Sequence, residues 1–299
     1  MSNVTPHWIA VDWGTSNMRA WAMSASGTVL AEARSDKGMG ALARDEFEPE
    51  LLRTIGDWIN GPTTIVACGM VGSRQGWVEA PYASVPCPAL PDGLVRAPVQ
   101  NPDLQVHVIP GIKQTDPADV MRGEETQIAG FLALNKNWDG VICLPGTHTK
   151  WVHVSADEVV SFQTFMTGEL FATLSAYTVL RHSFGADGWD DAAFLTGVED
   201  AMSRPERLAA RLFSLRAEEL LNDLSGAAAR ARLSGLLIGA ELAAAKPYWL
   251  GQQIAVVGAS KLTKLYVDAL AAQSAPATQA KGDAITIAGL TAAYRRLKG

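Results

Sequence analysis

Ile9-Ala10-Val11-Asp12-Trp13-Gly14-Thr15-Ser16-Asn17-Met18-Arg19-Ala20-Trp21-Ala22-Met23 reads as two strands facing each other across a small polar tip. Such a tip suits a polyphosphate. Gly14 lets the backbone approach an anion, Thr15, Ser16 and Asn17 offer N–H and side-chain donors, and Asp12 can hold the hydrated Mg²⁺ that accompanies ATP. A second stretch repeats the design: Val141-Ile142-Cys143-Leu144-Pro145-Gly146-Thr147-His148-Thr149-Lys150-Trp151-Val152-His153-Val154, again an apolar strand, a Gly-Thr tip and a returning strand. A third, Ile254-Ala255-Val256-Val257-Gly258-Ala259-Ser260-Lys261-Leu262, is a buried-type strand that runs straight into a helix, with small residues at the junction where a base or ribose can lie against the backbone. Each element alone is what any turn selects. Their order, hairpin, hairpin, strand–Gly–helix, is far more specific.

That order resembles the phosphate 1, phosphate 2 and adenosine motifs of the actin-like ATPase fold, in which two ribonuclease H-like α/β lobes enclose a nucleotide cleft. Within that superfamily the chain resembles the 2-dehydro-3-deoxygalactonokinases. The resemblance rests on Asp12 to Trp21, Gly69-Met70-Val71-Gly72-Ser73, Ala80-Pro81-Tyr82, Met121-Arg122-Gly123-Glu124-Glu125-Thr126-Gln127, Pro145 to Val152, Met166-Thr167-Gly168-Glu169-Leu170 and Ser234-Gly235-Leu236-Leu237-Ile238-Gly239-Ala240-Glu241. It implies ATP-dependent phosphorylation, with Mg²⁺, of the terminal hydroxyl of 2-dehydro-3-deoxy-D-galactonate to the 6-phosphate, a step of galactonate catabolism.

Composition agrees with a metabolic enzyme. At 299 residues, 48% hydrophobic and 19% charged, the chain can bury two modest cores. A net charge of −6 argues against nucleic-acid or anionic-membrane partners, which need a basic face. Cys68, Cys87 and Cys143 lack metal-ligand spacing and read as core residues of a reducing compartment. With no basic-then-apolar leader and no membrane-length apolar run, a cytoplasmic location is expected. The partner is a small sugar acid, and pairing of two copies as a homodimer is left open.

Strands are expected near 8–13, 18–24 and 27–33, a helix at 46–60, a buried strand at 63–70, an irregular binding loop at 71–92 and a short strand at 105–109. A helix from Glu124 to Leu134 precedes the second hairpin and is expected to cross between lobes. Further helices are expected at 169–182, 190–202, 205–221, 226–246, 261–272 and 284–297. The implied division is an N-terminal lobe of 1–120 completed by 284–299, and a C-terminal lobe of 121–283.

Phosphoryl transfer to a hydroxyl needs a base, charge stabilisation at the phosphoryl group and a grip on the substrate carboxylate. Glu124 and Glu125 are the base candidates, because a helix N-terminus keeps a carboxylate ionised and relatives in the superfamily place an acid there. Asp12 stands beside them as a catalytic and metal-organising acid. Gly14, Thr15, Ser16, Asn17, Gly146, Thr147, His148, Gly258, Ala259 and Ser260 are the nucleotide-binding candidates. Arg74 and Arg122 are candidates for the substrate carboxylate, which a guanidinium meets with two prongs. Trp77 is expected to wall the sugar pocket, and Thr167 and Glu169 to bind sugar hydroxyls, against the plainer reading of an N-cap and a first-turn acid. Trp13, Trp21 and Trp151 are expected to fill the core around the tips.

No Gly-x-x-x-x-Gly-Lys-[Ser/Thr] stands in the chain, and no Gly-x-Gly-x-x-Gly opens a helix after the first strand, which disfavours P-loop kinases and dinucleotide dehydrogenases. The remaining rivals are a kinase for another sugar acid or ketose and a non-metabolic actin-like or chaperone ATPase.

Overall fold

The computed structural model describes residues 4–184 and 188–299. Its strands are β1 (Trp8–Trp13), β2 (Met18–Met23), β3 (Val29–Ser35), β4 (Thr63–Cys68), β5 (Tyr82–Ser84), β6 (Cys87–Pro88), β7 (Val95–Arg96), β8 (Leu104–Val108), β9 (Gly111–Thr115), β10 (Ala118–Met121), β11 (Gly140–Leu144), β12 (Thr149–Ser155), β13 (Glu158–Phe165), β14 (Ile254–Gly258) and β15 (Ala277–Lys281). The helices are α1 (Phe47–Ile55), α2 (Glu124–Leu134), α3 (Thr167–Tyr177), α4 (Asp191–Ser203), α5 (Leu208–Asn222), α6 (Gly226–Ala244), α7 (Lys246–Trp249), α8 (Ser260–Ala272) and α9 (Gly282–Lys298).

Contacts divide the chain into two units. The first holds the residues up to Asp139, Val154–Ser161 and Gly282–Gly299; the second holds Gly140–His153 and Phe162–Lys281. In the first, β1, β2 and β3 form an antiparallel meander, and β4 and β8 extend it in parallel from β1, giving the order β3-β2-β1-β4-β8-β7. Both faces of this sheet are covered, so β1 is apolar on both sides, and its period of two sorts the residues. Ile9, Val11 and Trp13 enter the core built with α1, where Trp13 meets Phe47 at 5.1 Å and Phe47 stacks with Trp77 at 6.1 Å. Trp8 and Ala10 enter the opposite core, where Trp8 stacks at 4.4 Å on Tyr294 of α9.

In the second unit the corresponding order recurs, β13-β12-β11-β14-β15, with β14 parallel to both β11 and β15. The residues Glu158 and Val159 of β13, which belong to the first unit, pair with β6. The repeated order is the structural duplication the actin-like ATPase fold requires. Trp151, Val141, Cys143, Val256 and Tyr266 share a core with residues of α4 and α6. Trp13, Trp21 and Trp151 are all buried, as expected.

Several boundaries differ from the sequence reading. The helix expected at 46–60 is α only to Ile55 and closes in a 3₁₀ turn, and that expected at 169–182 ends at Tyr177. The loop expected at 71–92 carries the short strands β5 and β6. The strands β9, β10 and β15 escaped the reading because each is short or largely polar. The 120/121 division is also drawn elsewhere: α2, expected in the C-terminal lobe, belongs with the first unit because it packs along α9. That packing is backbone against backbone. A Cβ on Gly130 would lie 2.0 Å from the Ile285 carbonyl oxygen, and one on Gly289 would lie 1.9 Å from that of Thr126. Gln127 Nε2 donates to Thr286 Oγ1 across the same contact, at 3.2 Å.

Gly289→Ala should therefore push α9 off the first turn of α2. The expected cost is about 2–4 kcal/mol, seen as a fall of about 5–10 °C in the melting midpoint. An unchanged midpoint by calorimetry would refute the close crossing.

Candidate active site

Within the first unit, the tip between β1 and β2 closes through the Gly14 N–H, which donates to the Asn17 carbonyl at 2.9 Å. The segment after β3 braces it: the Met39 and Gly40 N–H groups donate to the Gly14 and Thr15 carbonyls, each at 2.9 Å. Thr15, Ser16 and Asn17 are exposed on this braced turn. Strand alternation turns Asp12 to the Trp8 and Ala10 face. There Arg19 Nη2 donates to Asp12 Oδ2 at 2.6 Å, while Nη1 bonds Asp283 in the first turn of α9. Cys68, the register partner of Asp12 on β4, places its thiol 3.9 Å from Oδ1.

The chain then turns sharply at Gly69, with φ +93°. A Cβ here would lie 2.7 Å from the Trp13 carbonyl oxygen and 3.4 Å from Asp12 Oδ1. Gly123, with φ +108°, approaches Gly69 in turn: its Cβ would lie 3.3 Å from the Gly69 Cα. Both positions need the left-handed backbone that glycine adopts without strain. These contacts bring the N-terminus of α2 to the end of β1. The electrostatics register the convergence: burial first, then the charges of Asp12 and Glu125, push the Cys68 thiol well above its usual range.

The two glutamates differ sharply. Glu125 is fully buried and folds back on its own helix start, accepting the Gly123 N–H at 2.6 Å and the Thr126 hydroxyl at 3.0 Å. Burial, reinforced by the charge of Glu124, raises its pKa to about 8. It therefore holds its proton at neutral pH. Glu124 is only half-buried, and its carboxylate accepts the Arg122 N–H at 3.1 Å.

Arg122 is buried, stacked at 4.3 Å over the Tyr82 ring, with Nη2 donating to the Ala80 carbonyl at 2.7 Å. Its Nη1 has no partner among the described residues, and neither does the buried Ser73 Oγ. Both sit beside Gly72, whose Cβ would fall 2.9 Å from that nitrogen. Arg74 is exposed, its carbonyl accepting from Arg44 Nη2 at 2.8 Å. Trp77, expected to wall the sugar pocket, is instead a core residue: it is 3% exposed, packs on Phe47, and donates its indole N–H to the Pro98 carbonyl at 3.0 Å. An aromatic between Gly76 and Val78 carries no mark of which side it faces.

Within the second unit, Thr147 and His148 are exposed at the hairpin tip, and the start of α3 lies directly on it. The Glu169 N–H donates to the Thr147 carbonyl at 3.0 Å, and Glu169 Oε2 meets His148 Nε2 at 2.5 Å. Gly168 makes this approach feasible, since a Cβ there would sit 2.2 Å from the Gly146 carbonyl oxygen. Thr167 and Glu169, expected to bind sugar hydroxyls, are thus engaged with the hairpin and its support. Thr167 is not an N-cap either, its hydroxyl bonding Glu241 on α6. Lys150 is buried on the return strand.

At the third motif, Ala259 and Ser260 are exposed where β14 enters α8. Gly258, expected to lie against a base or ribose, is confined by the protein itself: its Cβ would meet the Pro145 carbonyl oxygen and the Thr263 methyl, each at 3.3 Å. A cavity of about 460 Å³ lies beside the tip. Gly146, Thr147, Thr167 and Gly168 line it together with Phe171, Trp189, Arg230, Ser234, Leu237, Ile238, Leu262, Leu265 and Tyr266. Its size and mainly apolar lining suit a nucleoside. Sequence reasoning missed the α6 wall, although Arg230, Ser234, Leu237 and Ile238 carry a one-face helical spacing that could have marked it.

Comparison with known proteins agrees with this geometry. The family model for 2-keto-3-deoxy-galactonokinase matches residues 12–293. The chain belongs to this family. It is similar, at 40% identity over 97% of both chains, to a protein of Rhizobium meliloti (strain 1021) named probable 2-dehydro-3-deoxygalactonokinase. It is 34% identical to the 2-dehydro-3-deoxygalactonokinase of Escherichia coli (strain K12), over 96% of this chain and 97% of that one. The crystal structure of a Sinorhizobium meliloti protein assigned to the same galactonokinases superposes with a TM-score of 0.90 at 38% identity, over 97% of this chain and 99% of that one. The likeness to an N-acetylglucosamine kinase-like protein of Porphyromonas gingivalis, TM-score 0.50 at 12% identity over 96% and 99% of the chains, shows the shared sugar-kinase fold. As a member of the galactonokinase family the chain is a phosphotransferase with an alcohol acceptor, and no helix among its described residues is long and apolar enough to cross a membrane.

The raised Glu125 makes stability pH-dependent. The unfolded chain ionises this group near 4.5 and the folded chain near 8, so the folded state binds the extra proton between them. Stability contributed by Glu125 is complete below 4.5 and is lost as pH rises toward 8. Glu125→Gln should lessen that decline, gaining about 1–3 kcal/mol relative to wild type at pH 8 over pH 5. Parallel urea midpoints for the two proteins across that range would refute it.

Proposed function

We propose that this chain transfers the γ-phosphoryl group of ATP to the C6 hydroxyl of 2-dehydro-3-deoxy-D-galactonate, giving the 6-phosphate and ADP. The observation that carries the reading is the pair of relatives bearing that activity in their names, at 40% and 34% identity over nearly the whole chain. The cavity beside the Gly146-Thr147 tip supports it: adenosine enters the cavity, the Trp189 and Phe171 rings offer stacking surfaces, and the tip offers backbone donors and His148 to the phosphates. In the first unit, the braced tip of Gly14, Thr15, Ser16 and Asn17 offers the same kind of donors.

Mg²⁺ suits these residues only as a companion of the nucleotide. Among the described residues no three acidic, histidine or cysteine side chains gather as a metal cage, and one oxygen of Asp12 is already engaged by Arg19. A single carboxylate that meets the ion through water, with phosphate oxygens as the direct ligands, is how Mg²⁺ is commonly held. Mg²⁺ held there would neutralise charge on the phosphates. Arg19 holds the Asp12 carboxylate in place.

Glu124 is the base in this reading. It is reachable, whereas Glu125 is sealed in the protein and protonated at neutral pH. Glu124 takes the hydroxyl proton as the C6 oxygen bonds to the γ-phosphorus and the bond to ADP breaks. The unpartnered Arg122 Nη1 and Ser73 Oγ are donors of the type a sugar-acid carboxylate or hydroxyl satisfies, and Arg74 stands exposed in the same loop.

Glu124→Gln should lower turnover by ~10²–10⁴ with ADP affinity nearly unchanged, and Glu125→Gln should lose far less. Asp12→Asn should cost ~3 kcal/mol or more of transition-state stabilisation. Wild-type ATP consumption should depend strongly on the added sugar acid, since a kinase excludes water until its acceptor is bound. Steady ATP hydrolysis indifferent to a panel of six-carbon keto-deoxy acids and aldonates would end the reading.

A further inference from the structure

Glu241 takes no part in the chemistry described so far, yet it is 3% exposed in the middle of the second unit. Its carboxylate collects donors from three other elements. Trp151 Nε1 of β12 donates to Oε1 at 2.7 Å, the Tyr266 hydroxyl of α8 donates to Oε2 at 2.8 Å, and the Thr167 hydroxyl at the start of α3 donates to Oε2 as well. Thr149 Oγ1 extends the chain, 2.9 Å from the Tyr266 hydroxyl. Thr149 and Trp151 lie on the strand that returns from the Gly146-Thr147 tip. Thr167 and Tyr266 line the cavity itself.

A carboxylate buried here carries a desolvation cost that an apolar side chain on α6 would avoid, and burial raises its pKa to about 7. What the carboxylate supplies is direction. A fully satisfied polar network permits one arrangement of its members, where apolar contact tolerates sliding. We propose that Glu241 is a positioning residue for the nucleotide, holding the return strand of the tip, the start of α3 and α8 against α6 in the geometry that shapes the cavity. The inference rests on the reading that this cavity receives adenosine. It predicts a defect in nucleotide binding that leaves sugar-acid recognition and the chemical step almost intact.

The test compares Glu241→Leu with Glu241→Gln. The glutamine amide can accept from the Trp151 indole through its oxygen and donate to the Thr167 and Tyr266 oxygens through its nitrogen, whereas leucine strands the Trp151 indole and the Thr167 hydroxyl and leaves the Tyr266 hydroxyl only Thr149. Glu241→Leu should raise the calorimetric Kd for ADP and the KM for ATP by ~10-fold or more, with the sugar-acid KM and the kcat at saturating ATP each within ~3-fold of wild type. Glu241→Gln should restore most of the affinity. Should the leucine variant fail to fold, Thr167→Val and Tyr266→Phe carry the test, each expected to weaken ADP binding by ~3–10-fold. Leu262→Trp, which fills the cavity, separates the two ideas. ADP binding that survives Leu262→Trp overturns the cavity reading and this inference with it. Binding lost in Leu262→Trp but unaltered in Glu241→Leu, or in both single-partner variants, overturns the inference alone. Equal loss of ATP and sugar-acid affinity in Glu241→Leu also overturns it.

Discussion

The backbone of Gly69 presses against the Trp13 carbonyl on one side and against Gly123 on the other, and the geometry of the first unit's candidate site hangs on that double contact. The end of β4 could not otherwise lie this close to the end of β1, nor could α2 begin against it. Because β1 and β4 are parallel and in register at Asp12 and Cys68, the contact fixes where Asp12 stands relative to Glu124 and Glu125. The far side of α2 is fixed by the same device, the crossing of Gly130 and Gly289 with α9. Asp283, in the first turn of α9, then ties back to Asp12 through Arg19.

Two buried carboxylates illustrate how environment divides labour between identical side chains. Glu125 and Glu241 are both taken out of water, and both have pKa values raised well above the ordinary range. Glu125 answers chiefly to its own helix start and to Thr126. Glu241 answers to three other elements, which makes it a joint between them. Glu124, one residue from Glu125, stays half in solvent and keeps the accessibility a base needs.

The hairpins, the strand–Gly–helix junction and most helices were legible because their signals are local: unbroken apolar runs along 8–11 and 141–144, Gly-Thr turns between strands, and helical spacing along 226–244. The short strands β5, β6 and β15 were not, since a strand of two to five residues owes its existence to the neighbour that completes its ladder. Trp77 shows the limit at the level of a single residue. Its place between Gly76 and Val78 fits a pocket wall and a core equally well, and Phe47, thirty positions earlier, decided for the core.

By itself the sequence determined the two hairpins, the strand–Gly–helix junction and the carboxylate pair at the start of α2, because turn chemistry and hydrophobic period act over a few residues, and the fold class followed from the resemblance of their order to the actin-like ATPases. Only the tertiary structure decided which glutamate is buried, that Thr167 serves the cavity side of the second hairpin, and that Glu241 gathers Trp151, Thr167 and Tyr266 from 90, 74 and 25 positions away. Burial and long-range hydrogen bonding depend on which distant segments meet, and no short stretch of chain encodes its own neighbours.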